Sequence, residues 1–93
     1  MIVSFRDAET EKVWERVSSK KFSPELQRMA QRRMVLLDAA EVLQDLRIPP
    51  GNRLEALKGN REGQHGIRVN DQWRICFVWT KSGPKNVELV DYH

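Results

Sequence analysis

The hydrophobic positions change period along the chain. Ile2 to Phe5 is a short β-branched and aromatic run that predicts a strand. Asp7 then precedes AETEKVWERV, with acids early and basic residues late, as a helix dipole prefers; Asp7 is the expected N-cap, and Val13 and Trp14 the anchors. Ser23-Pro24-Glu25 opens a second helix, a serine cap followed by proline at the first helical position. Leu26, Met29, Ala30, Leu37 and Ala40 recur at helical spacing, Met34 and Leu36 widen the stripe, and Arg28, Gln31, Arg32 and Asp38 take the other side. The pattern carries this helix to about Asp45, where RIPPGNR stops it.

Beyond that break the period shortens to two. LEAL is a short strand, KGNREGQ a polar loop or turn and HGIRV a strand, with His65 a strand residue or, in the other reading, a neighbour of an active site. WRICFVW is the strongest strand: Trp73, Ile75, Phe77 and Trp79 share one face, Arg74, Cys76 and Val78 the other. After the turn KSGPK, NVELVDYH forms the last strand, with Val87, Leu89 and Asp91 on one face and Glu88, Val90 and Tyr92 on the opposite one. Helices first and a strand meander after them predict an α+β fold, a small antiparallel β-sheet with two N-terminal helices packed on one face. The other face is left for function.

Composition narrows the classes. A chain of 93 residues is one domain, 1–93. Its 40% hydrophobic content supports a modest core, and no apolar run approaches the roughly 20 residues that cross a bilayer. The first residues lack the order of a signal peptide, so a cytoplasmic protein is expected, with no membrane partner. Cys76 is alone, which excludes an internal disulfide, and its place inside WRICFVW reads as buried strand, not nucleophile. His65 and His93 show no ligand spacing, Glu62 and His65 make no helical ligand pair, and GNREG lacks the ending of a phosphate loop; neither metal nor cofactor is expected. The net charge of +3 says less than its distribution: from Arg53 to Lys85 seven basic residues stand against three acidic ones, so a polyanion would find its surface there.

Arg53, Lys58, Arg61, Arg68 and Arg74 lie on consecutive strands and turns that folding brings together. Cations gathered in this way suit phosphate. A solvated strand face, with salt bridges to Glu55, Glu62 and Asp71, accounts for them equally well. The closing Asp91-Tyr92-His93 favours the functional reading, because it sets a carboxylate, a stackable phenol and an imidazole beside the basic strands.

The N-terminal I-x-S-F, LLDAA, PPGNRLEALKGNREGQH, IRVNDQWRICF and the terminal VELVDYH together resemble the HigB-type toxins of bacterial toxin–antitoxin modules, a branch of the RelE/ParE superfamily, and most nearly the GraT-like members. The resemblance spans essentially the whole chain. It implies a RelE-like microbial RNase fold and a ribosome-dependent, metal-independent endoribonuclease that cuts mRNA in the A site of the 70S ribosome and so inhibits translation. In the implied reaction the 2′-hydroxyl attacks the adjacent phosphate, leaving a 2′,3′-cyclic phosphate and a free 5′-hydroxyl. By position, Lys58 matches the family's active-site lysine and Arg74 an arginine that holds the scissile phosphate. Asp91, Tyr92 and His93 match its catalytic D-Y-H end: His93 for proton transfer, Tyr92 for base stacking or proton transfer, Asp91 to orient its neighbours. Arg61 and Arg68 would contact the RNA backbone. Where the best-studied pattern has a histidine, three residues before the lysine, this chain has Glu55, which makes a carboxylate the candidate base or leaves His93 to act without one. The implied partner is a HigA-type helix-turn-helix antitoxin, through which alone the toxin would reach DNA. Two other functions compete: a gyrase poison of the ParE kind, and a non-catalytic module that binds RNA or ribosomes.

Overall fold

The computed structural model describes residues 1–92. The Thr10 N–H donates to Asp7 Oδ1 at 2.7 Å, capping α1 (Ala8–Trp14). Ser23 caps α2 (Pro24–Ala39) in the same way, its Oγ taking the N–H of Leu26 at 3.1 Å. Each cap satisfies a donor that the first turn leaves without an intrahelical partner.

The second helix is shorter than its apolar stripe predicts, ending at Ala39 and not near Asp45. Asp45 is the physical reason. Its Oδ2 accepts the N–H groups of Glu41 and Val42 at 2.9 and 3.2 Å, a local arrangement that competes with continued helix. The chain resumes as a 3₁₀ turn, Leu43–Arg47, which buries Leu46. Asn52 then organises the proline break. It is fully buried; its Nδ2 donates to the carbonyls of Leu46 and Ile48, and its Oδ1 accepts from Arg33 of α2 at 2.6 Å. One amide thereby ties the break to the long helix and aims the chain at the sheet.

That sheet comprises β1 (Glu55–Ala56), β2 (His65–Arg68), β3 (Trp73–Thr80) and β4 (Gly83–Asp91), antiparallel in the order β1-β2-β3-β4. LEAL contributes only two strand residues. GNREG is the expected loop, a 3₁₀ turn over Gly59–Arg61 with Gly59 and Gly63 at φ of 64° and 91°, where a side chain would strain the backbone. The KSGPK turn tightens, so that Gly83, Pro84 and Lys85 already belong to β4. The opening segment does not form a regular strand. It runs parallel to β4 through one bridge, Phe5 with Val87, and covers that edge: the Val3 N–H donates to the Pro84 carbonyl at 2.8 Å and the Arg6 N–H to that of Val87 at 2.9 Å. Asn86, at φ 54°, marks the register shift in β4 beside this contact.

The α+β arrangement is the expected one. Ile67, Ile75, Phe77, Val87 and Leu89 form one core with Val13, Leu26, Ala30, Met34 and Leu37 of the helices, while Trp73 and Trp79 pack at its margin. Trp73 meets Phe22 edge to face, with centroids 5.6 Å apart. The buried Thr10 accepts the N–H of Leu89 at 3.1 Å and fixes α1 to β4. Among the described residues no helix is long and apolar enough to cross a membrane.

Replacing Asn52 with Ala leaves the buried Leu46 carbonyl, the part-buried Ile48 carbonyl and Arg33 without their partner. It should lower the urea-unfolding free energy by about 1–3 kcal/mol. Lys85→Ala, at an exposed position, should stay within about 0.5 kcal/mol.

Candidate active site

Strand alternation sends the even-numbered residues of β3 away from the helices. Register then aligns Arg74 with Val90 and with Arg68, and Cys76 with Glu88 and Gly66. Glu55 of β1 pairs with Gly66 and joins the same face. Leu57 follows it, and its methyl carbons pack over the space that the absent Gly66 side chain leaves.

Arg74 is the centre of this surface. Its guanidinium carbon stands 5.1 Å from the centroid of the Tyr92 ring, within cation–π range. On its other side Nη1 lies 2.9 Å from Glu55 Oε1. That contact is an ion pair without hydrogen-bond alignment, and Nη1 is buried with no hydrogen-bond acceptor among the described residues. A guanidinium donor held in this way is costly to leave unbonded, on the order of 1–3 kcal/mol, and an anionic oxygen would relieve it.

The neighbouring cations are also matched. Arg61 Nη1 reaches Glu88 Oε1 at 3.1 Å and Gln64 Oε1 at 3.2 Å. Arg6 Nε lies 3.8 Å from the same Glu88 oxygen, and these side chains with Asn60 line a cavity of about 190 Å³. Arg68 pairs with the exposed Asp71. The salt bridges expected of a solvated face are therefore present for Glu55 and Asp71, on the same face as the arginine with an unfilled donor.

Lys58 is exposed where β1 gives way to the 3₁₀ turn, three residues from both Glu55 and Arg61. Asp91 occupies the opposite row from Tyr92: it is registered with Trp73 and accepts from Gln72 Nε2 at 2.9 Å. Tyr92 is tied in place by its N–H, which donates to the Gln72 carbonyl at 2.7 Å. His93 lies outside the described residues. Arg74, Tyr92 and Glu55 are thus brought together, with Arg61 close by, while Arg68 sits toward the β2–β3 turn.

Sequence reading missed Arg6, Asn60, Gln64 and Glu88. Arg6 reaches the site only because the opening segment lies against β4, a pairing with no local signature. The charge distribution also misled in one respect: Arg16, Arg28 and Arg32, from the first half of the chain, line a second cationic crevice of about 260 Å³ beside Val35 on the helices. Among the described residues no group of three or more His, Cys, Asp or Glu side chains is placed to hold a metal ion.

A four-stranded antiparallel sheet covered by two helices, with a guanidinium–tyrosine–carboxylate cluster on its other face, defines a RelE-like α+β protein. Residues 3–93 match the family described as the RelE-like toxin of type II toxin–antitoxin system HigB. Toxin HigB-1 of Vibrio cholerae serotype O1 is 39% identical over 90 residues, covering 96% of this chain and 95% of that protein. An uncharacterized protein of Haemophilus influenzae is 32% identical over 69 residues, 74% of this chain and 68% of its own. The chain belongs to the HigB-like toxin family.

Cys76 is fully buried among Arg61, Glu88, Arg74 and Glu55. The two cations and two anions oppose each other, so burial decides, and the thiol is pushed up to about 11 from 9.0. Between those values the unfolded chain loses the proton that the folded chain keeps. Stability contributed by the protonated thiol is present below pH 9 and is lost as pH rises toward 11. Urea unfolding of the native chain should weaken over that window by more than that of Cys76→Ala.

Proposed function

We propose that this toxin is a ribosome-dependent endoribonuclease that cuts mRNA in the A site through the surface around Arg74, without a metal cofactor. The observation that carries the reading is the state of Arg74: stacked near Tyr92, beside a carboxylate, with a buried donor that has no hydrogen-bond acceptor among the described residues. A phosphodiester oxygen supplies that acceptor. The ion pairs around it are partly exposed and each contributes no more than about 1 kcal/mol, so a phosphate can displace a carboxylate from its arginine.

In this reading Arg74 and Lys58 bind the non-bridging oxygens and stabilise the charge that builds as the 2′-hydroxyl attacks. Displaced from Arg74, Glu55 is the base for that hydroxyl. His93 gives a proton to the departing 5′-oxygen, Tyr92 stacks on a base, and Asp91 orients the chain end through Gln72. Arg61 and Arg68 contact the RNA backbone once Glu88 and Asp71 release them. The toxin acts in the cytoplasm on the 70S ribosome and is held by a HigA-type antitoxin with a helix-turn-helix, through which it reaches DNA. The exposed Val17 and Val35 beside Arg16, Arg28 and Arg32 give that antitoxin a mixed apolar and basic docking surface.

Inducing the chain in bacteria and mapping RNA 5′ ends should reveal cuts in codon phase. Lys58→Ala and Arg74→Ala, with folding verified by circular dichroism, should each reduce them by about 100-fold or more. Arg74→Lys should recover only part, since an ammonium cannot reproduce the fork of a guanidinium. Supercoiling defects without cuts would identify a gyrase poison, and growth inhibition that survives both alanine substitutions a non-catalytic binder.

A further inference from the structure

At the β1 edge of the sheet a crevice of about 210 Å³ adjoins the Arg74 surface. Leu43 and Leu54 give it apolar walls; Gln44, Arg47, His65 and Glu55 bring polar groups to it. The volume exceeds what one water occupies, roughly 30 Å³, and falls below the roughly 300–1,000 Å³ of sites for larger ligands. It suits a single ring system.

Of these polar groups Glu55 is paired with Arg74, and the others are uncommitted. Neither the Gln44 amide nor the Arg47 guanidinium has a hydrogen-bond or ion-pair partner among the described residues. His65 is held by stacking on Phe77, with centroids 6.4 Å apart and planes inclined by 24°. Its Nδ1 is buried and has no partner among the described residues. Arg47 is the one cation among the described lining residues and a carboxylate, Glu55, stands in the same wall, which argues against a second phosphate site. An amide able to donate and accept, with a flat imidazole and a guanidinium between apolar walls, matches the edge and face of a nucleobase. Glu55 connects the crevice to Arg74, 2.9 Å away.

We infer that this crevice is a nucleobase pocket, receiving one unstacked base of the RNA whose phosphodiester lies at Arg74. The inference rests on the RNA-cleaving reading for its substrate and adds the residues that choose the base, Gln44, Arg47 and His65.

The test is an NMR titration of the full isotope-labelled chain with a trinucleotide carrying 2′-deoxyribose throughout, which cannot be cut by 2′-hydroxyl attack. Binding should move the His65 ring signals and the Gln44 side-chain amide. Gln44→Ala and Arg47→Ala, both at exposed positions, should each weaken affinity by about fivefold, the worth of one hydrogen bond. An abasic trinucleotide should leave the His65 signals unmoved. Unmoved His65 and Gln44 signals on saturation with the trinucleotide, or equal shifts from the abasic probe, would overturn the pocket. Mapped cut sites provide the second arm: Gln44→Ala should alter the sequence preference while cutting continues, and an unchanged preference counts against the pocket. Absence of codon-phased cuts on induction of the unsubstituted chain would instead count against the RNase assignment, independently of the titration.

Discussion

Everything at the candidate site depends on how β3 pairs with β4. Placing Ile75 opposite Leu89 and Arg74 opposite Val90 sends one row of side chains into the helix-covered core and the other to the opposite face. A slip of one residue would turn the rows of β4 over while β3 kept its own, carrying Glu88 and Val90 toward the helices, exposing Leu89 and taking Tyr92 away from Arg74. The core therefore holds the register, and the register delivers the Tyr92 ring to the Arg74 guanidinium. Strand ends are ordinarily poor places for chemistry because they fray. Here the Tyr92 N–H is bonded to the Gln72 carbonyl, and Gln72 reaches Asp91 as well, so the β2–β3 turn holds the end of β4.

The site is built of opposing charges and not of cations alone. Arg74 faces Glu55, Arg61 faces Glu88, and Arg68 faces Asp71. In the free protein these pairs limit repulsion among the arginines; in the proposed function they are the contacts a polyanion exchanges. Arg74 differs from the others because one of its donors is buried and has no hydrogen bond among the described residues. That asymmetry, more than the number of basic residues, is why Arg74 is the phosphate anchor in the proposed reaction. Cys76 lies fully buried beside these pairs, where its thiol stays protonated, so the nucleophile in the proposed reaction belongs to the substrate.

Much of this was legible in the order of residues. The caps at Asp7 and Ser23, the two faces of WRICFVW and the turn at GNREG all follow from local chemistry, and local chemistry is what a sequence displays most directly. Arg74 and Tyr92 were legible as members of one face once their strands were taken as neighbours. The early end of α2 was not, because it depends on Asp45 choosing backbone donors over a helical position. Asn52 was missed for a similar reason: in sequence it is a polar residue in a proline-glycine break, and only folding surrounds it with two carbonyls and a guanidinium. Arg6 and the β1-edge crevice depend on contacts between distant segments, which no periodicity records.

The central claim is that the substrate's own 2′-hydroxyl cuts the strand at a phosphate bound by Arg74. Purified ribosomes programmed with a defined mRNA, carrying either ribose or 2′-deoxyribose at the single nucleotide before the cut, test it most directly. The account predicts cleavage of the ribose message with a 2′,3′-cyclic phosphate end and none of the deoxyribose message. Equal cleavage of the two would contradict it.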